Sequence, residues 1–200
     1  MSKQKLKSTR LRLTGYQKDI LYSPARFTIA TCATKVGKTV SHIFWLYEMA
    51  HKPDVKEGYN FWWVAPQYSQ AEIAYKRMRR MLARTGVYKF NEAKLLITCP
   101  NGAEIHFKSG DNADSLYGED VYAAVMDEAG RCKEDSWHAL FSTLTFTGAP
   151  CKLIGNFGGT QNWVTKLVES TKNDPDYSFH KVTAYDAVDA GILNLSVVET

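Results

Sequence analysis

The chain has 200 residues, of which 44% are hydrophobic, 23% charged and 12% aromatic. That is enough apolar material for one packed domain and too much for global disorder. No apolar run approaches the roughly 20 residues that span a bilayer, and no apolar segment follows the basic N-terminus as a secretory signal requires. Twenty-five Lys and Arg against 21 Asp and Glu give a net charge of +4. The first twelve residues carry Lys3, Lys5, Lys7, Arg10 and Arg12 without an acid, so the rest is close to neutral. Cys32, Cys99, Cys132 and Cys151 form no CxxC pair. Their scatter argues for reduced thiols in a cytosol-like compartment and against a zinc site or a disulfide scaffold.

In chain order, residues 26–31 read as a buried strand, and Lys38 to His51 carries apolar residues at a helical period. Residues 59–65 are a second strand, stopped by Pro66, with Trp62 and Trp63 expected in the core rather than as a nucleic-acid platform. Ser69-Gln70-Ala71-Glu72 has the pattern of a capping box, which predicts a helix from there to about Thr85, ended by Gly86. Short strands at 94–99 and 103–108 flank the turn signal Pro100-Asn101-Gly102. A polar loop (109–119), a strand at 121–126, a helix near 134–145 and a strand at 150–155 follow. A helix near 161–172 and a strand at 178–184 complete the order. The last fifteen residues have no element of their own to pack against. This alternation predicts an α/β fold, a mainly parallel sheet with helices on both faces and a β-hairpin insertion.

Two segments carry the chemistry. Gly37-Lys38-Thr39 lies between the first strand and the first long helix, in a loop that reads C-A-T-K-V-G-K-T. Backbone amides of such a loop, here Ala33, Thr34, Lys35, Val36 and Gly37, converge on phosphate oxygens. Lys38 reaches the β/γ-phosphates and the Thr39 hydroxyl binds Mg²⁺. Cys32 stands where the usual first glycine would be. The second segment is Val125-Met126-Asp127-Glu128. Asp127 at the end of a buried strand can hold Mg²⁺, and Glu128 can polarise the attacking water. Both fall at the carboxyl ends of strands, where open α/β sheets bind ligands. Together they predict a P-loop NTPase (RecA/ASCE-like) core using ATP and Mg²⁺. Gly155-Asn156 ends the next strand and is a candidate γ-phosphate sensor, or a plain turn aided by Gly158 and Gly159. Gln17, in Tyr16-Gln17, is a candidate reader of the adenine edge.

These pieces together resemble the ATPase domain of the large terminase subunit, the DNA-packaging motor of tailed bacteriophages. The resemblance runs from about Thr14 to Asp186. It rests on Tyr16-Gln17, the loop at 33–39, Val64-Ala65-Pro66, the segment from Asp114 to Asp120, and V-M-D-E-A-G-R at 125–131. Trp137, Ile154-Gly155-Asn156 and Asn162-Trp163 continue it. It implies that Lys38 and Thr39 bind the triphosphate and metal, Asp127 holds Mg²⁺ and Glu128 activates water. Gln17 would contact adenine, and Gly155-Asn156 would couple hydrolysis to movement. The implied partners are double-stranded DNA, a portal protein, a small terminase subunit and further copies in a homo-oligomeric ring. In isolation a monomer is expected, in the host cytoplasm, with no membrane contact.

The basic helix residues Arg77, Arg79, Arg80 and Arg84 and the N-terminal tail are the candidate DNA contacts, since a motor grips duplex through its phosphates. Tyr117 stands where many family members have an arginine before the glycine matching Gly118. In this family a neighbouring subunit commonly supplies an arginine to the site; Arg131, Arg26 and Lys35 are the candidate substitutes, the sequence does not choose among them, and the trans-acting residue is unassigned. The resemblance divides the chain into a basic tail (1–13), an ATPase domain (14–186) and the start of a linker (187–200). It provides no room for a nuclease domain, so DNA cutting is not expected. Two other readings are a first core domain of a superfamily-2 helicase and a nucleotide-binding interaction module without turnover.

Overall fold

The computed structural model describes residues 12–157 and 161–198. Most of the expected basic tail, together with Gly158 and Gly159, lies outside the described residues. The chain enters through helix α1 (Gly15–Leu21), which sequence periodicity does not reveal because it is barely two turns long. Thr14 caps it, accepting from the Gln17 amide while the Gln17 side chain accepts from the Thr14 amide.

Strand β1 (Phe27–Cys32) leads through the glycine-bearing loop into helix α2 (Lys38–Ala50). Strand β2 (Asn60–Ala65) follows, then helix α3 (Tyr68–Leu82). The expected capping box at Ser69 does not form. Gln67, extended at φ −133°, is the N-cap, and its carbonyl accepts from the amides of Gln70 and Ala71. The chain turns into helix directly after Pro66, so Ser69 already lies inside the first turn and caps nothing. The stop is as expected: a 3-10 turn at Ala83–Thr85 ends at Gly86 in the left-handed region.

The insertion has three strands rather than two. β3 (Lys89–Asn91) pairs with β4 (Leu96–Thr98), which pairs with β5 (Glu104–Ser109), both antiparallel. β3 is three residues long with little burial, too short to register as a pattern. The polar loop after β5 holds a 3-10 turn at Ala113–Leu116. Then come β6 (Val121–Asp127), helix α4 (Glu134–Thr147), β7 (Cys151–Gly155), helix α5 (Trp163–Ser170), β8 (Tyr177–Val182) and helix α6 (Ala184–Asp189).

The eight strands form one sheet in the order β3-β4-β5-β2-β6-β7-β1-β8, and only β4 runs against the rest. Period-2 alternation along the strands builds a core on each face. In β2, Phe61, Trp63 and Ala65 join Ile43, Leu46, Tyr75 and Met78 on one face. Trp62 and Val64 join Trp137, Leu140 and Trp163 on the other. Trp62 and Trp63 are fully buried, as expected of core residues. The C-terminal segment is packed after all: Ala187 is buried in the first core and Leu193 lies against it. The packing continues past residue 186 because Thr183 caps α6, forming a helix that the sequence pattern did not suggest.

Candidate nucleotide-binding and hydrolysis site

The strand order decides the site. β6, β7 and β1 are neighbours, so the ends of all three open on one edge of the sheet. The loop after β1 turns twice through the left-handed region, at Lys35 (φ 62°) and Gly37 (φ 83°). For Lys35 this conformation costs about 1 kcal/mol. Glycine suits the left-handed turn at position 37, and a β-carbon there would stand 2.7 Å from Gln17 Nε2, so the Gln17 side chain would have to shift. Val36 is buried and plugs the loop into the core. Its carbonyl accepts the Tyr16 hydroxyl at 2.8 Å and Gln17 Nε2 at 3.4 Å. Gly37 caps α2 without any side-chain hydrogen bond, so the first amides of this helix face the loop uncapped. That arrangement suits an anion.

Thr34, Lys35, Gly37, Lys38, Thr39 and Glu128 line a cavity of about 380 Å³ over the loop, together with Arg77 from α3. A larger hollow of about 700 Å³ lies at the opposite edge of the sheet, beside Arg26 and Lys152. It holds none of the residues expected to act on a phosphate.

Lys38 and Glu128 meet across the cavity, Nζ to Oε1 at 2.7 Å. Glu128 is brought there by its backbone, which leaves β6 in the left-handed region at φ 47°. Asp127, at the strand end, accepts from the Glu128 amide at 3.0 Å. Burial first, and the Glu128 charge second, push its carboxyl up to about 6, while Lys38 and Arg77 pull the other way. Cys32, at the end of β1, is buried, and burial pushes its thiol up to about 11. A neutral thiol fills a core position where a first glycine is common.

Gly155 pairs with Thr31 of β1 across the sheet, and Ile154 pairs with Asp127. Gly155 is therefore placed beside the turn that carries Glu128, and Asn156 is exposed at the strand end. The Thr31 hydroxyl accepts the Phe157 amide at 3.1 Å, tying this exit to the phosphate-loop strand.

Other expected residues take different places. Gln17 is 7% exposed and its amide faces inward, with Oε1 accepting from Thr14 and Nε2 donating to Val36. It braces the phosphate loop. The α3 arginines do not form one patch: Arg79 pairs with Glu92 at 2.9 Å and lies over Phe90, whereas Arg77 turns to the phosphate-loop cavity. Arg26 precedes β1, six residues or about 20 Å from the loop of its own chain, and its guanidinium donates to the Ala149 and Leu144 carbonyls. Sequence reading missed the Tyr16 hydroxyl and His42, whose Nδ1 lies 2.7 Å from the Lys38 carbonyl. Tyr16 belongs to the Tyr16-Gln17 element, but its reach to Val36 is a tertiary contact; His42 belongs to no motif, and its contact lies within one turn of α2.

A sequence model of the phage terminase large subunit matches residues 69–194, well over half of the chain. The chain belongs to that family. The matched stretch contains Asp127, Glu128, Gly155 and Asn156, and begins after Lys38. Structural likeness extends further. The large terminase ATPase domain of Thermus phage P74-26 superposes with a TM-score of 0.74 at 21% identity, covering 89% of this chain and 84% of that one. The large terminase of a thermophilic bacteriophage, solved in complex with ATP-γ-S, gives 0.75 at 19% identity over 94% of this chain. This terminase chain spans about half of that protein's length, 48%. A DEAD-box protein from Methanococcus jannaschii scores 0.57 at 16% identity, covering 83% of this chain and 47% of that one. That weaker likeness does not favour the helicase reading. No curated protein sequence matches the chain. No described helix is long and apolar enough to cross a membrane.

Proposed function

We propose that this chain binds and hydrolyses ATP, and that hydrolysis drives double-stranded DNA into a procapsid. The observation that carries the reading is the Lys38–Glu128 pair, which joins the loop after β1 to the acidic turn after β6 across one cavity. The uncapped amides of α2 receive the phosphates. Lys38 leaves Glu128 for the β/γ-phosphate oxygens, and the freed Glu128 carboxylate accepts hydrogen from the attacking water. Tyr16 and Gln17 hold the loop in its binding shape through the Val36 carbonyl. Adenine recognition by Gln17 requires that brace to open.

Mg²⁺ suits the residues present. Asp127 is a buried carboxylate beside the Glu128 charge, and burial first and that charge second push its pKa up to about 6. No group of three or more His, Cys, Asp or Glu residues forms a metal cage among the described residues. One carboxylate and one hydroxyl are the donor set expected when phosphates and water complete the shell. Asp127 and Thr39 would hold the ion, which neutralises charge developing on the phosphates.

Coupling to movement falls to Gly155 and Asn156, beside Glu128. Arg80 on α3 and Arg84 in the 3-10 turn after it are the remaining candidates for a duplex backbone, and the N-terminal tail is a further candidate. A ring of copies acting with a portal protein and a small subunit in the host cytoplasm is the proposed working assembly. Its ATPase unit begins at Thr14 and includes α6. The test is phosphate release from Mg-ATP by the chain and by Lys38→Ala and Glu128→Gln. Turnover in the parent and a loss of about 10²-fold or more in both variants is expected. Nucleotide binding without turnover in the parent favours the interaction-module reading instead. Absence of nucleotide binding overturns the proposal.

A further inference from the structure

Arg77 stands apart from the other cations of α3. The helix buries Ala71, Ala74, Tyr75, Met78 and Leu82 against the sheet. At about 100° per residue, Arg77 and Arg79 lie roughly 160° apart around the axis, on opposite flanks of that stripe. Arg79 is committed to Glu92 and Phe90. Lys76 pairs with Glu72 at 2.9 Å, and Arg80 Nε donates to the Lys76 carbonyl. Arg77 has no hydrogen bond or ion pair among the described residues, and it lines the cavity with Lys38, Thr39 and Glu128.

We propose that Arg77 is an intrachain arginine of the ATPase site, binding the terminal phosphate of the nucleotide. This inference rests on the ATP-hydrolysing reading of the same cavity. Two features support it. The guanidinium enters from α3, a different element from the loop and from β6, so it adds a cation on another side of the ligand. It also shares the cavity with Glu128, the residue proposed to face the attacking water, so its charge falls on the phosphate that leaves. A planar guanidinium can bond two phosphate oxygens at once, and does so most strongly as charge develops on them. Loss of the terminal phosphate then releases α3 from the site. The exposed face of α3 is left with fewer cations for DNA than the sequence implies.

The test compares the chain with Arg77→Ala and Arg77→Lys. Fluorescent ATP-γ-S and ADP titrations, single-turnover hydrolysis and binding of a duplex oligonucleotide at two salt concentrations are the readouts. In Arg77→Ala, affinity for the triphosphate analogue is expected to fall about tenfold more than affinity for ADP. Turnover should fall about 10²-fold or more, duplex binding should persist, and Arg77→Lys should recover part of the triphosphate preference. An unchanged ratio of the two affinities overturns the assignment, as does a defect confined to duplex binding. Recovery of turnover on mixing Arg77→Ala with Glu128→Gln overturns the intrachain placement. If Lys38→Ala abolishes triphosphate binding while Arg77→Ala leaves it intact, only the arginine assignment fails. If the parent chain binds neither nucleotide, the site reading fails with it.

Discussion

Gly155 lies under Glu128 so closely that a β-carbon on it would stand 3.3 Å from the Glu128 α-carbon and 2.6 Å from the Phe157 ring. The end of β7 therefore packs against the backbone of the acidic turn itself. A shift at either residue is felt by the other, because a packed contact of this kind has no slack. This contact is what supports the proposed coupling role of Gly155-Asn156.

Gly155→Ala is expected to displace Glu128 while leaving the phosphate loop intact. Turnover should fall about tenfold or more, since small misplacement of a catalytic group is costly. Nucleotide affinity should change less than about threefold. Phosphate release and a fluorescent-nucleotide titration on the same preparation separate the two. Equal losses of affinity and turnover would mean that the substitution damages the whole site.

Glu128→Gln removes the partner that holds Lys38 at 2.7 Å. Beyond losing turnover, this variant is expected to bind ATP-γ-S a few-fold more tightly, because Lys38 no longer leaves an ion pair to reach phosphate. Weaker binding in Glu128→Gln than in the parent would show that the pair does not compete with the ligand.

Lys152 makes a pH prediction. Its ammonium is buried in β7, donates to the Thr28 hydroxyl at 2.9 Å and lies 5.2 Å from the Trp45 ring centre. No carboxylate pairs with it among the described residues. Burial lowers its pKa from 10.5 to about 8. Between those values the unfolded chain carries the proton and the folded chain does not, so this residue makes stability rise with pH across that window. Lys152→Met lacks the rise. It should be more stable than the parent by about 1–3 kcal/mol at pH 7, with the gap closing above pH 10. Urea unfolding at several pH values measures it, and a pH-independent difference would contradict the assignment.

The four cysteines are free and buried, with thiols pushed up to between about 11 and 12. At pH 8 the folded chain is expected to react with an aromatic disulfide reagent only as fast as it opens. Full reaction should follow in urea. A single fast thiol in the native chain would show that one of the four is reachable, and labelling under bound nucleotide would test whether it is Cys32.

The elements legible in sequence were those with a strong local period. β1, β2, β6 and β7 announce themselves by apolar runs, and α2 to α5 by length. α1 and α6, with seven and six residues, make two helical turns or fewer, too few for a 3.6-residue period, and β3 has only three residues with little burial. The capping box at Ser69 was a correct pattern in the wrong place, since Pro66 and Gln67 start the helix earlier.

By itself the sequence determined the strand–loop–helix around Lys38, the acidic end of β6 and the two-faced burial of Trp62 and Trp63. Each depends on neighbours a few residues away. Only the tertiary structure decided that β7 lies between β1 and β6, that Lys38 meets Glu128 ninety residues later, and that Gln17 turns inward. The division of the α3 arginines belongs with these. Periodicity says which side of an element is buried, whereas the strand order and the flank of a helix that meets a cavity depend on how distant elements pack.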